Sequence, residues 1–168
     1  MVMMVRQSSA RTARKLKWYE ALGVETVSRA SGASKIQDAL AYLSVLKRGK
    51  MLAVTPDLLA GPEQGVEVSI FGRRARVFGG AFALANLVGA PMIRVSGQWY
   101  GESSVVLTFE RAPRIDVGDR DAAIRVAAQE WCRWFEGRLR ASPENWLFWL
   151  DKRWSHFLRT TPTTSVAK

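Results

Sequence analysis

An α/β fold with a mostly parallel sheet flanked by helices is predicted by three features of the sequence. Short apolar runs that suit strands alternate with longer segments of helical periodicity, the pattern of βαβ units. One run, "MLAVT" at residues 51–55, is apolar almost throughout, the mark of a strand covered on both faces. A third segment, "DAAIRVAAQEWCRWFEGRL", places Ile124, Ala127, Ala128, Trp131, Phe135 and Leu139 at helical spacing. At 168 residues with 48% hydrophobic content, the chain fits a single domain, residues 1–168, with a proper core.

The elements follow in order. "MVMMV" reads as a short strand whose beginning is missing. It is too short for the apolar part of a signal peptide, and its basic residues follow it where they should precede it. Trp18 to Leu22 closes a first helix, with Gly23 as its stop, and "VETVSR" is a short strand. Ser34 is placed to cap a helix whose stripe is Ile36, Leu40, Leu43 and Leu46; Lys47 and Arg48 suit its negative end, and Gly49 stops it. "MLAVT" follows as a buried parallel strand that breaks at Pro56 and Asp57. "VEVSIF" is a further strand. A helix from Gly80 to Val88 leads through Gly89-Ala90-Pro91 to a strand over Met92–Val95, and "SSVVLTF" is an edge strand. The uncharged stretch between Arg76 and Arg94 is too short and too interrupted to span a bilayer, which takes about 20 apolar residues. Ser142-Pro143 starts a last helix.

Charge narrows the partners. Lys and Arg outnumber Asp and Glu by 25 to 15, a formal net charge of +10. Such a surplus favours an anionic partner: nucleic acid, an anionic membrane surface or a phosphorylated substrate. Nucleic acid is not expected, because the basic residues are spread along the chain and no nucleic-acid motif is present. The single cysteine, Cys132, excludes an internal disulfide and a cysteine-based zinc cluster, and reads as a small buried hydrophobe. No metal site or cofactor is expected. The only histidine, His156, has no acid in the stretch that follows it and reads as a surface residue.

Three segments carry candidate sites. Asp57 follows a buried strand, where ligands bind in open α/β sheets; a plain turn or capping role is the alternative. Arg73, Arg74 and Arg76 in "IFGRRARVFGG" are either a solvated turn or phosphate contacts. In "SPENWLFWLDKRWSHFLRTT", the run Trp146–Leu150 covers every side of a helix turn and is followed at once by Lys152 and Arg153. Two readings stand side by side. The run plugs the core, or Trp146, Trp149, Lys152 and Arg153 meet an anionic membrane surface at the headgroup level.

The order of motifs resembles the bacterial lipid A late acyltransferases. The residues that carry the likeness are Lys47–Gly49, Pro56-Asp57, Phe71-Gly72, Gly89–Pro91, and Pro143, Glu144 and Trp146, within a match from about Arg11 to about Trp154. The resemblance implies a glycerolipid-acyltransferase-like α/β domain on the cytoplasmic face of the bacterial inner membrane. It implies transfer of an acyl chain from acyl carrier protein or acyl-CoA to a hydroxyl of an anionic glycolipid. It also implies substrate-binding roles for Asp57, Arg29 and Arg14. One departure is serious. The family's catalytic motif is a histidine and an acid with four residues between, upstream of everything matched here, and this chain has no histidine before His156. No catalytic residue is therefore assigned. The chain reads as the C-terminal half to two-thirds of such an enzyme, incomplete at the N-terminus, truncated or degenerate. The alternative is a non-catalytic membrane-surface or lipid-binding module.

Overall fold

A computed structural model describes residues 1–6, 10–29, 35–115 and 118–159. The fold is mixed α/β. Two compact units are distinguished, residues 1–56 with 84–90 and residues 57–83 with 91–168.

The first unit holds a three-stranded parallel sheet. Its strands are β1 (Val2–Arg6), β2 (Glu25–Arg29) and β3 (Leu52–Ala53), in the order β2-β1-β3. The crossovers are α1 (Ala10–Ala21) and α2 (Lys35–Lys47). "MVMMV" supplies the central strand, and Val2 is fully buried. The expected placement of "MLAVT" is corrected in two respects. Only Leu52 and Ala53 pair, with Val2 and Met3, and they form an edge, half-buried, with Met51 56% exposed. An apolar run marks a strand, but it does not rank two equally apolar runs for the central position.

Gly23 and Gly49 stop α1 and α2 as the sequence predicts. In each case the two amides beyond the helix return to its last carbonyls: Gly23 N–H to Glu20 and Val24 N–H to Tyr19, Gly49 N–H to Leu46 and Lys50 N–H to Val45. The stripe assigned to α2 is rotated. Asp38, Tyr42 and Val45 face inward, whereas Ile36 and Leu40 are exposed. Apolar residues occur all round this helix, so their spacing selects no face. Ser34 lies outside the described residues.

The chain passes from one unit to the other within α3 (Gly80–Val88), which has the bounds predicted from sequence. The second unit departs from the expected parallel sheet. It contains two antiparallel hairpins, β4 (Val66–Ile70) with β5 (Arg73–Val77), and β6 (Ile93–Tyr100) with β7 (Ser104–Arg111). Parallel pairing among the described residues is confined to β1–β3. The reason is local. Phe71 and Gly72 alone join β4 to β5, both with positive φ (51° and 71°), as a tight primed hairpin turn requires. Half of "IFGRRARVFGG" is therefore strand: Arg73, Arg74 and Arg76 sit on β5.

The core of this unit lies between β4–β5 and α4 (Arg120–Ala141), with Val68, Ile70, Ala75 and Val77 against Ala127, Ala128, Cys132, Phe135 and Leu139. The Asp119 side chain caps α4 by accepting from the Ala122 N–H. Gln129 binds the backbone of Ser69 through both amide atoms, at 2.7 and 2.8 Å, fixing α4 over β4. Cys132 is buried as expected, and burial, with the Glu136 charge, pushes its thiol up to about 12.

The β6–β7 hairpin is amphipathic, with polar residues alternating along most of it and Val106 and Tyr100 as the exceptions on the polar side. Arg94 and Glu110 on its polar side meet α4: the Trp134 indole N–H donates to Glu110 at 3.1 Å, Arg138 pairs with Glu110, and the Arg94 guanidinium lies 5.7 Å from the Trp134 ring centroid. Ile93, Val95, Trp99, Val105, Leu107 and Phe109 share the other side, and all six are exposed. Among the described residues no helix is long and apolar enough to cross a membrane.

This layout separates two phenylalanines. Phe135→Ala empties a packed site and is expected to cost about 3–5 kcal/mol, whereas Phe109→Ser on the exposed side should change stability by less than about 0.5 kcal/mol. Urea unfolding of the two variants measures both.

Candidate functional site

Asp57 opens the loop that leads to β4, and three residues from the far end of the chain hold it. Its carboxylate Oδ2 accepts the Trp146 indole N–H at 3.1 Å, and its backbone carbonyl accepts the Trp154 indole N–H at 2.7 Å. Two residues on, the Leu59 carbonyl accepts from the Arg153 guanidinium at 2.9 Å. The other side of the loop is tied to β5. Ala60 N–H donates to the Arg76 carbonyl at 2.7 Å, and the Arg76 guanidinium donates to the carbonyls of Gln64 and Gly65 at 2.8 and 2.9 Å. Gly65 is obligatory here: a Cβ would stand 2.3 Å from the Val77 carbonyl oxygen.

The segment that supplies the indoles is not one helix. Pro143–Asn145 and Leu147–Leu150 are short 3₁₀ turns, and α5 runs from Lys152 to Arg159. Asp151 makes the break. Its carboxylate accepts from the backbone N–H groups of Arg153 (2.9 Å) and Trp154 (3.4 Å), so it caps α5 and interrupts the apolar run. The breaks let rings from separate turns converge. Trp146 packs edge-on against Trp149 and Trp154, with centroids 4.8 and 5.0 Å apart, and against Phe135 at 5.4 Å. Such geometry adds about 0.5–1.5 kcal/mol per pair beyond area burial.

This settles where each tryptophan sits. Trp146 and Trp154 are buried, and Trp149 is half-buried with its indole N–H on the Pro143 carbonyl at 2.5 Å. Leu150 is 90% exposed, and Lys152 and Arg153 are exposed, Arg153 reaching back to the loop. Asp57, Trp146, Trp149 and Arg153, chosen on separate grounds, thus come together. Arg14 and Arg29 belong to the other unit: Arg14 is exposed on α1, and Arg29 is the last residue of β2. Trp154 was not singled out from sequence, although it holds the Asp57 backbone. Its signal was its place three residues after a capping aspartate, where a helix begins.

A second carboxylate fixes the hairpin turn. Glu136 accepts the Phe71 N–H at 2.7 Å on one oxygen and the Arg140 guanidinium at 2.8 and 3.0 Å on the other. The Arg140 guanidinium also lies 5.4 Å from the Phe71 ring centroid. These contacts offset the cost of Phe71 in a left-handed conformation, about 1–2 kcal/mol for a residue with a Cβ. Burial pushes the Glu136 carboxyl up, but the Phe71 N–H and Arg140 outweigh it and leave it below its ordinary 4.5.

The chemistry available is that of an acceptor. Asp57 Oδ1 is buried, and among the described residues it has no hydrogen-bond partner, an unsatisfied acceptor beside the ordered Oδ2. Beside the loop is a shallow depression of about 250 Å³ lined by Leu59, Ala60, Pro62, Glu67, Arg74 and Arg76, among others. His156 is exposed on α5. Among the described residues no three His, Cys, Asp or Glu are grouped so as to hold a metal ion.

Two sequence-distant motifs, Pro56-Asp57 and Pro143-Glu144-Asn145-Trp146, therefore form one structural unit. Residues 16–156 match the family described as bacterial lipid A biosynthesis acyltransferase. The chain belongs to this family. No curated protein matches it significantly. In this chain the two motifs are neighbours because an indole of one binds the carboxylate of the other.

Trp146→Phe is expected to cost about 1.5–3 kcal/mol, the range for a hydrogen bond to a charged group, and much less in an Asp57→Asn background. A double-mutant cycle by urea unfolding measures the coupling. Because the Glu136 carboxyl is depressed, its stabilisation is complete above pH 4.5 and is lost as the pH falls through its lower folded value. Glu136→Gln should flatten that acid limb of the stability profile while lowering stability at neutral pH.

Proposed function

We propose that the protein works in acyl transfer onto a glycolipid, on a glycerolipid-acyltransferase-type fold, and that these residues contribute binding and positioning but no general base. The observation that carries this reading is the family match over residues 16–156. The family implies an activated acyl donor and a glycolipid acceptor. Acyl carrier protein or acyl-CoA is the donor in this reading, the acceptor is an anionic glycolipid, and the place is the cytoplasmic face of a bacterial inner membrane. The net charge of +10 supports two anionic partners through long-range attraction.

Asp57 has a specific part. Held by Trp146 on Oδ2, it orients the loop beside the depression lined by Arg74 and Arg76, where an acceptor would bind. Arg14 and Arg29 would bind phosphate or sugar oxygens. The base is a different matter. His156 is exposed and followed by Phe157, Leu158 and Arg159, with no acid to orient its ring.

The purified chain is therefore expected to bind a phosphorylated glycolipid acceptor without transferring acyl groups from acyl carrier protein. Asp57→Ala should weaken that binding about ten-fold or more, because the loop loses the charged hydrogen bond to Trp146 that holds it. Calorimetric titration and a labelled-acyl transfer assay measure the two properties. Absence of acceptor binding would remove this reading. Turnover that disappears on His156→Ala would make His156 the base.

A further inference from the structure

We propose that α1 is the surface by which this protein attaches to anionic lipid. Arg14, Lys15 and Trp18 occupy one side of the helix, and Leu22 extends that side into the turn that ends it. All four are exposed, Trp18 at 61% and Leu22 at 58%. Leu16 is half-buried on the side away from them, so the helix has an inner side of its own and does not need this one for packing. Tyr19 lies against Trp18, ring centroids 5.5 Å apart, and broadens the aromatic surface.

The charges on this side are uncompensated. Among the described residues, Arg14, Lys15 and the neighbouring Lys17 have no carboxylate partner, whereas Arg48 and Lys50 of the same unit share Glu25. The unit formed by residues 1–56 and 84–90 carries ten Lys and Arg against three acids, most of the surplus of the whole chain. A basic helix face is by itself an ordinary solvated surface. Its combination with an exposed tryptophan and leucine is what fits a lipid headgroup layer. There an indole rests between water and acyl chains, and long basic side chains reach phosphates. A duplex nucleic acid would use the cations and leave Trp18 and Leu22 in water.

The segment from Trp146 to Arg159 fits this role less well. Trp146 and Trp154 are turned into the core, and Arg153 is engaged with the Leu59 carbonyl. The β6–β7 apolar side is exposed but carries only Arg111 as a cation.

Each cation near an anionic surface strengthens binding about five-fold, and the attraction fades within a Debye length. The test is co-sedimentation of the full chain with vesicles of phosphatidylglycerol and phosphatidylcholine. These vesicles contain neither acyl donor nor glycolipid acceptor, so the outcome is independent of acyl transfer. Wild type is expected to bind, and more weakly as salt rises. An Arg14→Glu, Lys15→Glu variant should lose at least ten-fold. A Lys152→Glu, Arg159→Glu variant, with the same change in net charge, should stay within about two-fold of wild type. Lipids brominated in the acyl chains should quench tryptophan fluorescence in the wild type, and Trp18→Phe should remove most of that quenching. All five substituted side chains are exposed, and circular dichroism checks that the variants fold. Equal losses in the two charge variants would show that net charge alone drives binding and would overturn the assignment to α1. So would the absence of vesicle binding by wild type, including the case in which it binds duplex DNA instead.

Discussion

Two indole N–H groups converge on Asp57, one on its carboxylate and one on its carbonyl, and much of the second unit is arranged around them. An indole is a donor only, so a buried tryptophan must find an acceptor, and a half-buried carboxylate with a fixed orientation needs donors. Each group meets the requirement of the other. The consequence reaches outward. The loop after Asp57 is held against β5 by Arg76 and against α5 by Arg153, and the rings that supply the indoles pack edge-on and tilted against Phe135 of α4. A break in the apolar run is part of the same arrangement: without Asp151 starting a new helix, Trp146 and Trp154 would not approach each other edge-on.

The same economy of charge appears at the opposite end of β4. Glu136 binds a backbone N–H and an arginine at once, and so stabilises a hairpin turn with a phenylalanine where glycine or asparagine is usual. In both places a carboxylate on or near an apolar surface acts as a positioning group. Neither is paired with a histidine. Both carboxylates accept from the protein's own donors, and the residues that match the acyltransferase family, 16–156, contain no His-x4-acid motif.

Apolar sequence and burial part company in two regions. In "WLFWL" the rings of Trp146 go to the core while Leu150 is almost wholly exposed, so the choice between a core plug and a lipid surface is made residue by residue. In β6–β7 the polar side of the hairpin faces α4, because Glu110 and Arg94 find Trp134 and Arg138 there, and the apolar side faces outward. The partners of the polar side decide which way the hairpin turns.

The sequence by itself determined the local elements: the stops at Gly23 and Gly49, the bounds of α3, the amphipathic α4 with Cys132 inside it, and the family, through motifs in order. These depend on residues close together along the chain, where propensity, capping and periodicity act. The sequence also pointed to Asp57, by its place after a strand. Only the tertiary structure decided that β1, not β3, is central, that the second unit is antiparallel, and that Asp57 is held by Trp146 and Trp154. Competition for the central position of a sheet, the pairing of a two-residue turn, and a hydrogen bond across 89 residues are settled by which surfaces meet in space, and no local pattern encodes that.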